Sequence, residues 1–291
     1  MLVLRLAAGL AVGYVAVLVL LWRFQEHLAF PSPRADVPDP AGVGLPDGER
    51  ITLWSGDGTR LVGWFLPPRR AAATAVAIPA GPAAGLLWFY GNGETIAAIW
   101  PVLREFQPPG VALLSVDYPG YGGSGGRARE AALYAAADAA YDALVRRPGV
   151  DPGRIFVYGR SLGSVVATHT VARRGAAGLI LESPFTSARE MSRQHYRLFP
   201  RFVLRLGLDN LGAIAHVRCP VLVFHGTDDL LVPIEMGRRV AAAAPGPVEL
   251  VEIEGAGHND TYAVGGRAYR DRLATFVLGT APARASGLRS P

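Results

Sequence analysis

Gly159-Arg160-Ser161-Leu162-Gly163 sits between the apolar run RIFVY and the helix-compatible segment SVVATHTVARR. A serine on a sharp strand-to-helix turn needs small neighbours, because the backbone there is strained and the chain packs closely on both sides. Its hydroxyl then projects above the sheet, at the start of a helix. The plainer reading is a structural turn serine, and the strand-and-helix setting favours a nucleophile. To attack a carbonyl carbon, such a serine needs a base to take its proton and an acid to orient the base. Both are expected later in the chain, at the ends of following strands. His258 lies in GAGHND, just past VELVEIE, where glycines free the loop to carry an imidazole over the sheet; a surface loop histidine is the alternative. Asp229 in HGTDDLLVP follows the run VLVF, with Asp228 beside it and Glu182 at the end of AGLILES as competing acids. Asp228 reads as the turn-capping neighbour. Charge developing on the attacked oxygen calls for backbone amides. The Leu162 amide is the first candidate, and the strand-ending Tyr90-Gly91-Asn92-Gly93 loop, otherwise an ordinary glycine-rich turn, offers a second at Asn92 or nearby.

Other chemistries are excluded or unsupported. All 29 basic residues are arginine, which removes lysine Schiff bases, pyridoxal anchoring and the lysine-bearing phosphate loop. The net charge of +5 comes with no arginine-rich tail, so nucleic-acid binding gains little support. Six histidines and the single cysteine, Cys219, form no compact ligand spacing, and neither a metal nor a cofactor is expected. One cysteine forms no internal disulfide and is compatible with a reducing or an oxidising compartment. The glycine-rich stretch Gly120 to Gly126 lacks a dinucleotide fingerprint with a ribose-binding acid, and Asp117 before it reads as a loop-fixing carboxylate.

The elements that must position these residues follow from hydrophobic patterning. Alternation on either side of Asp57-Gly58 reads as a hairpin of two edge strands, with Ile51, Leu53, Leu61, Gly63 and Phe65 inward. Six nearly continuous apolar runs follow, at 85–91, 111–117, 154–159, 177–183, 219–226 and 248–255, as expected for strands covered on both faces. Helix-length segments lie between them, notably 130–146 and 234–244. The alternation predicts an α/β fold with a mostly parallel central sheet flanked by helices. Residues 188–217 interrupt the rhythm and read as a short helical cap, with Arg189, Arg193, Arg197, Arg201 and Arg205 recurring every four residues and Pro200 dividing the helix. The arginines read as a solvated helix face or as a contact with anionic lipid headgroups.

Leu6 to Trp22 carries no charge, and a helix from Met1 to Trp22 would be about 33 Å long, enough for a hydrocarbon layer of about 30 Å. No small-x-small cleavage site follows, which favours an uncleaved single-pass anchor over 1–23 rather than a signal peptide; cleavage would make the protein secreted or periplasmic. Arg5 competes with Arg23 and Arg34, so charge does not fix the side of the membrane. Residues 24–48 then form a stem rich in proline and glycine, a single domain spans 49–280, and 281–291 make a flexible tail.

Seven segments in order, FQEHLAFPSP, YGNGE, VDYPGYGGSGG, YGRSLGS, LESPFTS, PVLVFHGTDDLLVP and GAGHND, resemble the α/β-hydrolase superfamily. Within it the chain is similar to the membrane-associated Bem46-like and ABHD12-, ABHD13- and ABHD17-like serine hydrolases, over roughly residues 24 to 278. The resemblance implies Ser161 as nucleophile and His258 as base. The family pattern of histidine-glycine, two spacers and aspartate falls on His225, Gly226 and Asp229. Tyr90 departs from it, since histidine is usual there. Together with the cap and anchor, the resemblance implies hydrolysis of an acyl ester or thioester, such as a lysolipid-like amphiphile. A serine peptidase and a noncatalytic membrane-tethered interaction protein are the rivals.

Overall fold

The computed structural model describes residues 1–69, 81–195 and 200–279. Among the described residues eight strands form one sheet: β1 (Glu49–Trp54), β2 (Arg60–Leu66), β3 (Ala83–Phe89), β4 (Val111–Val116), β5 (Val150–Arg160), β6 (Gly178–Glu182), β7 (Val221–Gly226) and β8 (Val248–Ile253). Their order is β1-β2-β4-β3-β5-β6-β7-β8. β2 pairs antiparallel with both β1 and β4, and every pair from β4 onward is parallel. The expected hairpin is present, with β1 alone at the edge; β2 is an interior strand, buried from Leu61 to Leu66. The run at 248–255 departs from the expectation of two-sided cover, because β8 is the opposite edge and only Ile253 of it is buried.

Eight α-helices complete the described chain: α1 (Leu2–Ala29), α2 (Ile96–Phe106), α3 (Glu130–Val145), α4 (Leu162–Arg174), α5 (Ala188–His195), α6 (Asn210–Ile214), α7 (Ile234–Ala243) and α8 (Thr261–Gly279). α3, α4, α6 and α7 pack side by side along the sheet. α2 and α8 meet each other, with Phe106 lying 5.0 Å from the Tyr262 ring. Trp88 stacks on Tyr158 at 3.7 Å, and Phe224 on Tyr269 at 3.8 Å, so the middle of the sheet is sealed against α8 by aromatic rings.

Two boundaries differ from the sequence reading. α1 runs to Ala29, six residues past the expected end, because Gln25 is buried against the segment at 203–206 instead of facing water. The stretch after it is not a free stem either: Phe30, Val37 and Leu45 are buried in the core, and the Trp64 indole donates to the Pro38 carbonyl. The cap resolves into short pieces, α5, a 3₁₀ turn at Arg201–Val203 and α6, rather than one arginine-striped helix. Arg189, Arg193 and Arg205 are exposed, whereas Arg197 and the proposed 281–291 tail lie outside the described residues.

Candidate active site

The candidate residues lie at the C-terminal ends of the parallel strands, where an open α/β sheet presents loops to a ligand. β5 ends at Arg160, and Ser161 makes the turn into α4 with φ 50° and ψ −114°, a left-handed conformation for a residue with a side chain. The flanking glycines are needed for close approach. A Cβ at Gly159 would fall on the Gly163 carbonyl, and one at Gly163 on the Phe89 carbonyl. Strand β3 therefore ends hard against the first turn of α4, which brings the loop at 90–93 beside Ser161.

His258 follows β8 and points Nε2 at the Ser161 hydroxyl, 3.0 Å away, while its Nδ1 lies 2.7 Å from Asp229 Oδ2. The structure thus brings together the serine, the histidine and one of the three candidate acids. Asp229 Oδ1 accepts from the Leu231 and Val232 amides at 3.0 and 2.7 Å. Burial opposes its charge, but hydrogen bonds from His225 and His258, the His258 charge and the Val232 amide outweigh it and hold the carboxyl well below the usual carboxylate range. Asp228 is exposed, and among the described residues its carboxylate accepts only from the Thr227 hydroxyl, so the capping role expected of it belongs to Asp229. Glu182 is fully buried and faces Arg160, Tyr158 and Thr261 instead of His258.

Leu162 opens α4, and an amide in a first helical position has no intrahelical partner. Asn92 uses its side chain elsewhere: Nδ2 donates to the Ala29 carbonyl at 2.7 Å and Oδ1 accepts from Tyr121 at 2.7 Å. No hydrogen bond to the Asn92 amide is found among the described residues. Tyr90 acts in loop support. It is buried, and its hydroxyl donates to Asp117 at 3.0 Å and accepts from the Tyr118 amide at 3.1 Å. Asp117 also accepts from the Ile96 and Gly123 amides, so it ties three loops together, as its loop-fixing reading requires. Among the described residues no group of three or more His, Cys, Asp or Glu side chains converges as a metal site.

Arg160 is the residue that spacing did not single out. Its side chain is only 5% exposed, yet it bridges four partners: Glu94 at 2.7 Å, Glu182 at 3.3 Å, the His258 carbonyl at 2.7 Å and Asn259 at 2.9 Å. Glu94 in turn accepts from the Gly91 amide at 2.6 Å. A charged residue closing an apolar strand, with an acid closing the next strand, was the available signal, since a buried charge needs a partner.

The family model described as serine aminopeptidase S33 (Hydrolase_4) matches residues 80–213. An uncharacterized protein of Mycobacterium tuberculosis is 35% identical over 281 residues, covering 96% of both chains. Human alpha/beta hydrolase domain-containing protein 17B is 37% identical over 168 residues, 57% of this chain and 56% of its own. The chain belongs to the α/β-hydrolase family. This hydrolase also superposes on the esterase Pf2001 of Pyrococcus furiosus with a TM-score of 0.66 at 19% identity, covering 84% of this chain and 97% of that one. At that identity the likeness concerns the fold, and the fold of the hydrolase is the one its strand pattern predicted.

Proposed function

We propose that this hydrolase cleaves an acyl ester or thioester through a covalent acyl-enzyme. The observation that carries the reading is the unbroken line from Ser161 Oγ to His258 Nε2 at 3.0 Å and from His258 Nδ1 to Asp229 at 2.7 Å. Ser161 Oγ bonds to the acyl carbon as His258 takes its proton. The amides of Leu162 and Asn92 receive the negative oxygen, and His258 returns the proton to the departing alcohol or thiol. Water, deprotonated by the same imidazole, then adds to the acyl carbon and releases the acid. Asp229, ionised throughout, keeps the imidazole in the tautomer that accepts from serine. No metal or cofactor enters these steps.

An exposed apolar helix of 28 residues beside the cap supports a membrane-anchored protein and a lipid-like substrate. Cleavage of that helix as a signal sequence is the competing reading of the segment. The peptidase description of the matching family model favours a second activity, hydrolysis of peptide amides.

A fluorophosphonate should label the folded wild-type protein and leave Ser161→Ala unlabelled. Ester turnover should fall by more than roughly a thousandfold in that variant. Wild-type protein that stays unlabelled would return the chain to the noncatalytic, membrane-tethered reading. Across a panel of p-nitrophenyl esters and peptide amides, preference for long acyl chains supports the lipid reading, equal turnover of short soluble esters counts against it, and faster amide cleavage favours the peptidase.

A further inference from the structure

α1 meets the domain as a docked strut. Its less exposed stripe, Leu18, Leu21, Gln25 and Ala29, recurs at three- and four-residue steps along one side. Gln25 Nε2 donates to the Val203 carbonyl at 3.2 Å, and its Oε1 accepts from the Arg205 and Leu206 amides at 2.6 and 3.2 Å. The Arg205 guanidinium lies over the Trp22 ring at 4.5 Å. At the end of the helix the Ala29 carbonyl accepts from Asn92, whose loop borders Ser161, and the chain beyond is tied to the glycine-rich loop, where the Pro33 carbonyl accepts from the Gly122 amide at 2.8 Å.

This docking sets a height. The uncharged run ends at Trp22, an aromatic of the kind that settles at a membrane interface, and Arg23 is the first charge after it. Ala29 lies seven helical steps beyond Trp22, a rise of about 10 Å. The polar layer of one leaflet is roughly 5–8 Å thick. The Asn92 loop therefore stands at the outer edge of the headgroups when α1 spans the bilayer. Phe202 is 80% exposed next to Val203, whose carbonyl holds Gln25 of α1. Leu230 is 89% exposed in the loop that carries Asp229, and His195 at the end of α5 contacts the neighbouring Leu231 carbonyl at 2.8 Å. Arg23, Arg193 and Arg205 are exposed around this face, with the sign that anionic headgroups attract.

We propose that the face formed by the end of α1, the Phe202 turn and the Leu230 loop rests on the lipid surface, so that the hydrolase takes its ester from the leaflet holding α1 rather than from solution. This inference rests on the proposed ester chemistry. The occupant of the face is an anionic bilayer.

A polar helical insert of seven residues between Trp22 and Arg23 tests it, because it raises the domain by about 10 Å with almost unchanged helical phase. It retains the apolar run and the Gln25 and Ala29 contacts. In full-length protein reconstituted into vesicles of phosphatidylcholine and phosphatidylserine, hydrolysis of embedded monooleoylglycerol is expected to fall about tenfold or more while p-nitrophenyl butyrate turnover stays within about twofold. Unchanged vesicle turnover, or an equal loss on both substrates, overturns the proposal. A readout independent of catalysis uses a polarity-sensitive fluorophore on Phe202→Cys in a Cys219→Ser background. Emission that shifts to the blue on adding these vesicles supports the face. Emission typical of water overturns it, and a shift without lipid that grows with protein concentration assigns the face to a second copy and overturns it as well. Wild-type protein that turns over neither ester while the fluorophore reports lipid contact defeats the proposed chemistry and leaves the membrane face standing.

Discussion

Arg160 immediately precedes Ser161 in the turn at 159–163 and holds the backbone of His258, the proposed base, in place. Through the His258 carbonyl it fixes the histidine loop, and through Glu94 it fixes the amide of Gly91 beside Asn92. Burial alone would disfavour its charge, but the carboxylates of Glu182 and Glu94 keep the guanidinium firmly protonated. Replacing Arg160 with Gln should lower kcat by about a hundredfold with KM little changed, because loss of this brace misplaces the imidazole rather than the substrate. Arg160→Lys should recover part of that loss. Glu94→Gln, at a half-buried position, should reproduce a smaller kcat effect without unfolding the protein; steady-state kinetics on a short ester separate these outcomes. Asp229 gives a pH signature. Its folded pKa lies below its unfolded value near 4, so the stability it contributes is complete above about pH 5 and is lost as pH falls towards the folded value. The melting-temperature difference between wild type and Asp229→Asn should therefore shrink between about pH 5 and pH 3. A constant gap across that range would count against the depressed carboxyl. Ser161, His258 and Asp229 were legible as residue types at strand ends. Among three acids the sequence favoured Asp229, by its place after a strand and by the family pattern, but it does not reveal that Glu182 is already engaged by Arg160.

Among the elements, the continuous apolar strands were the most readable, because burial on both faces leaves a run without alternation. α2 and α8 were not anticipated: Pro101 lies inside the first, and the second breaks at Gly266, whose φ is 47°. The last turns of α1 escaped for another reason. In FQEHLA the apolar pair Phe24 and Leu28 is exposed while the polar Gln25 is buried, and the docking of this turn depends on Gln25 finding partners far along the chain. Gln25→Leu keeps the side-chain size but leaves the Val203 carbonyl and the Arg205 and Leu206 amides without their partner. The expected cost is about 2 kcal/mol or more, seen as a fall in melting temperature of several degrees. A change below one degree would mean that this contact does not hold the helix to the cap.

For the molecule as a whole, one sheet serves both purposes: its middle is sealed by helices and rings, and its C-terminal edge gathers the loops that bear Ser161, Asp229 and His258. Which loops support one another was not legible, because that depends on contacts such as Asn92 with Ala29 that join residues 63 positions apart. The same division leaves a conflict at Ser161. Its φ of 50° belongs to a region that glycine enters freely and serine does not, and such a residue carries about 1–3 kcal/mol of strain. Ser161→Gly should accordingly melt higher than the wild-type protein by a few degrees while losing all turnover. On the proposed chemistry, selection for durability and selection for activity pull this one position in opposite directions, and a survey of thermally hardened variants would be expected to recover inactive glycine at residue 161.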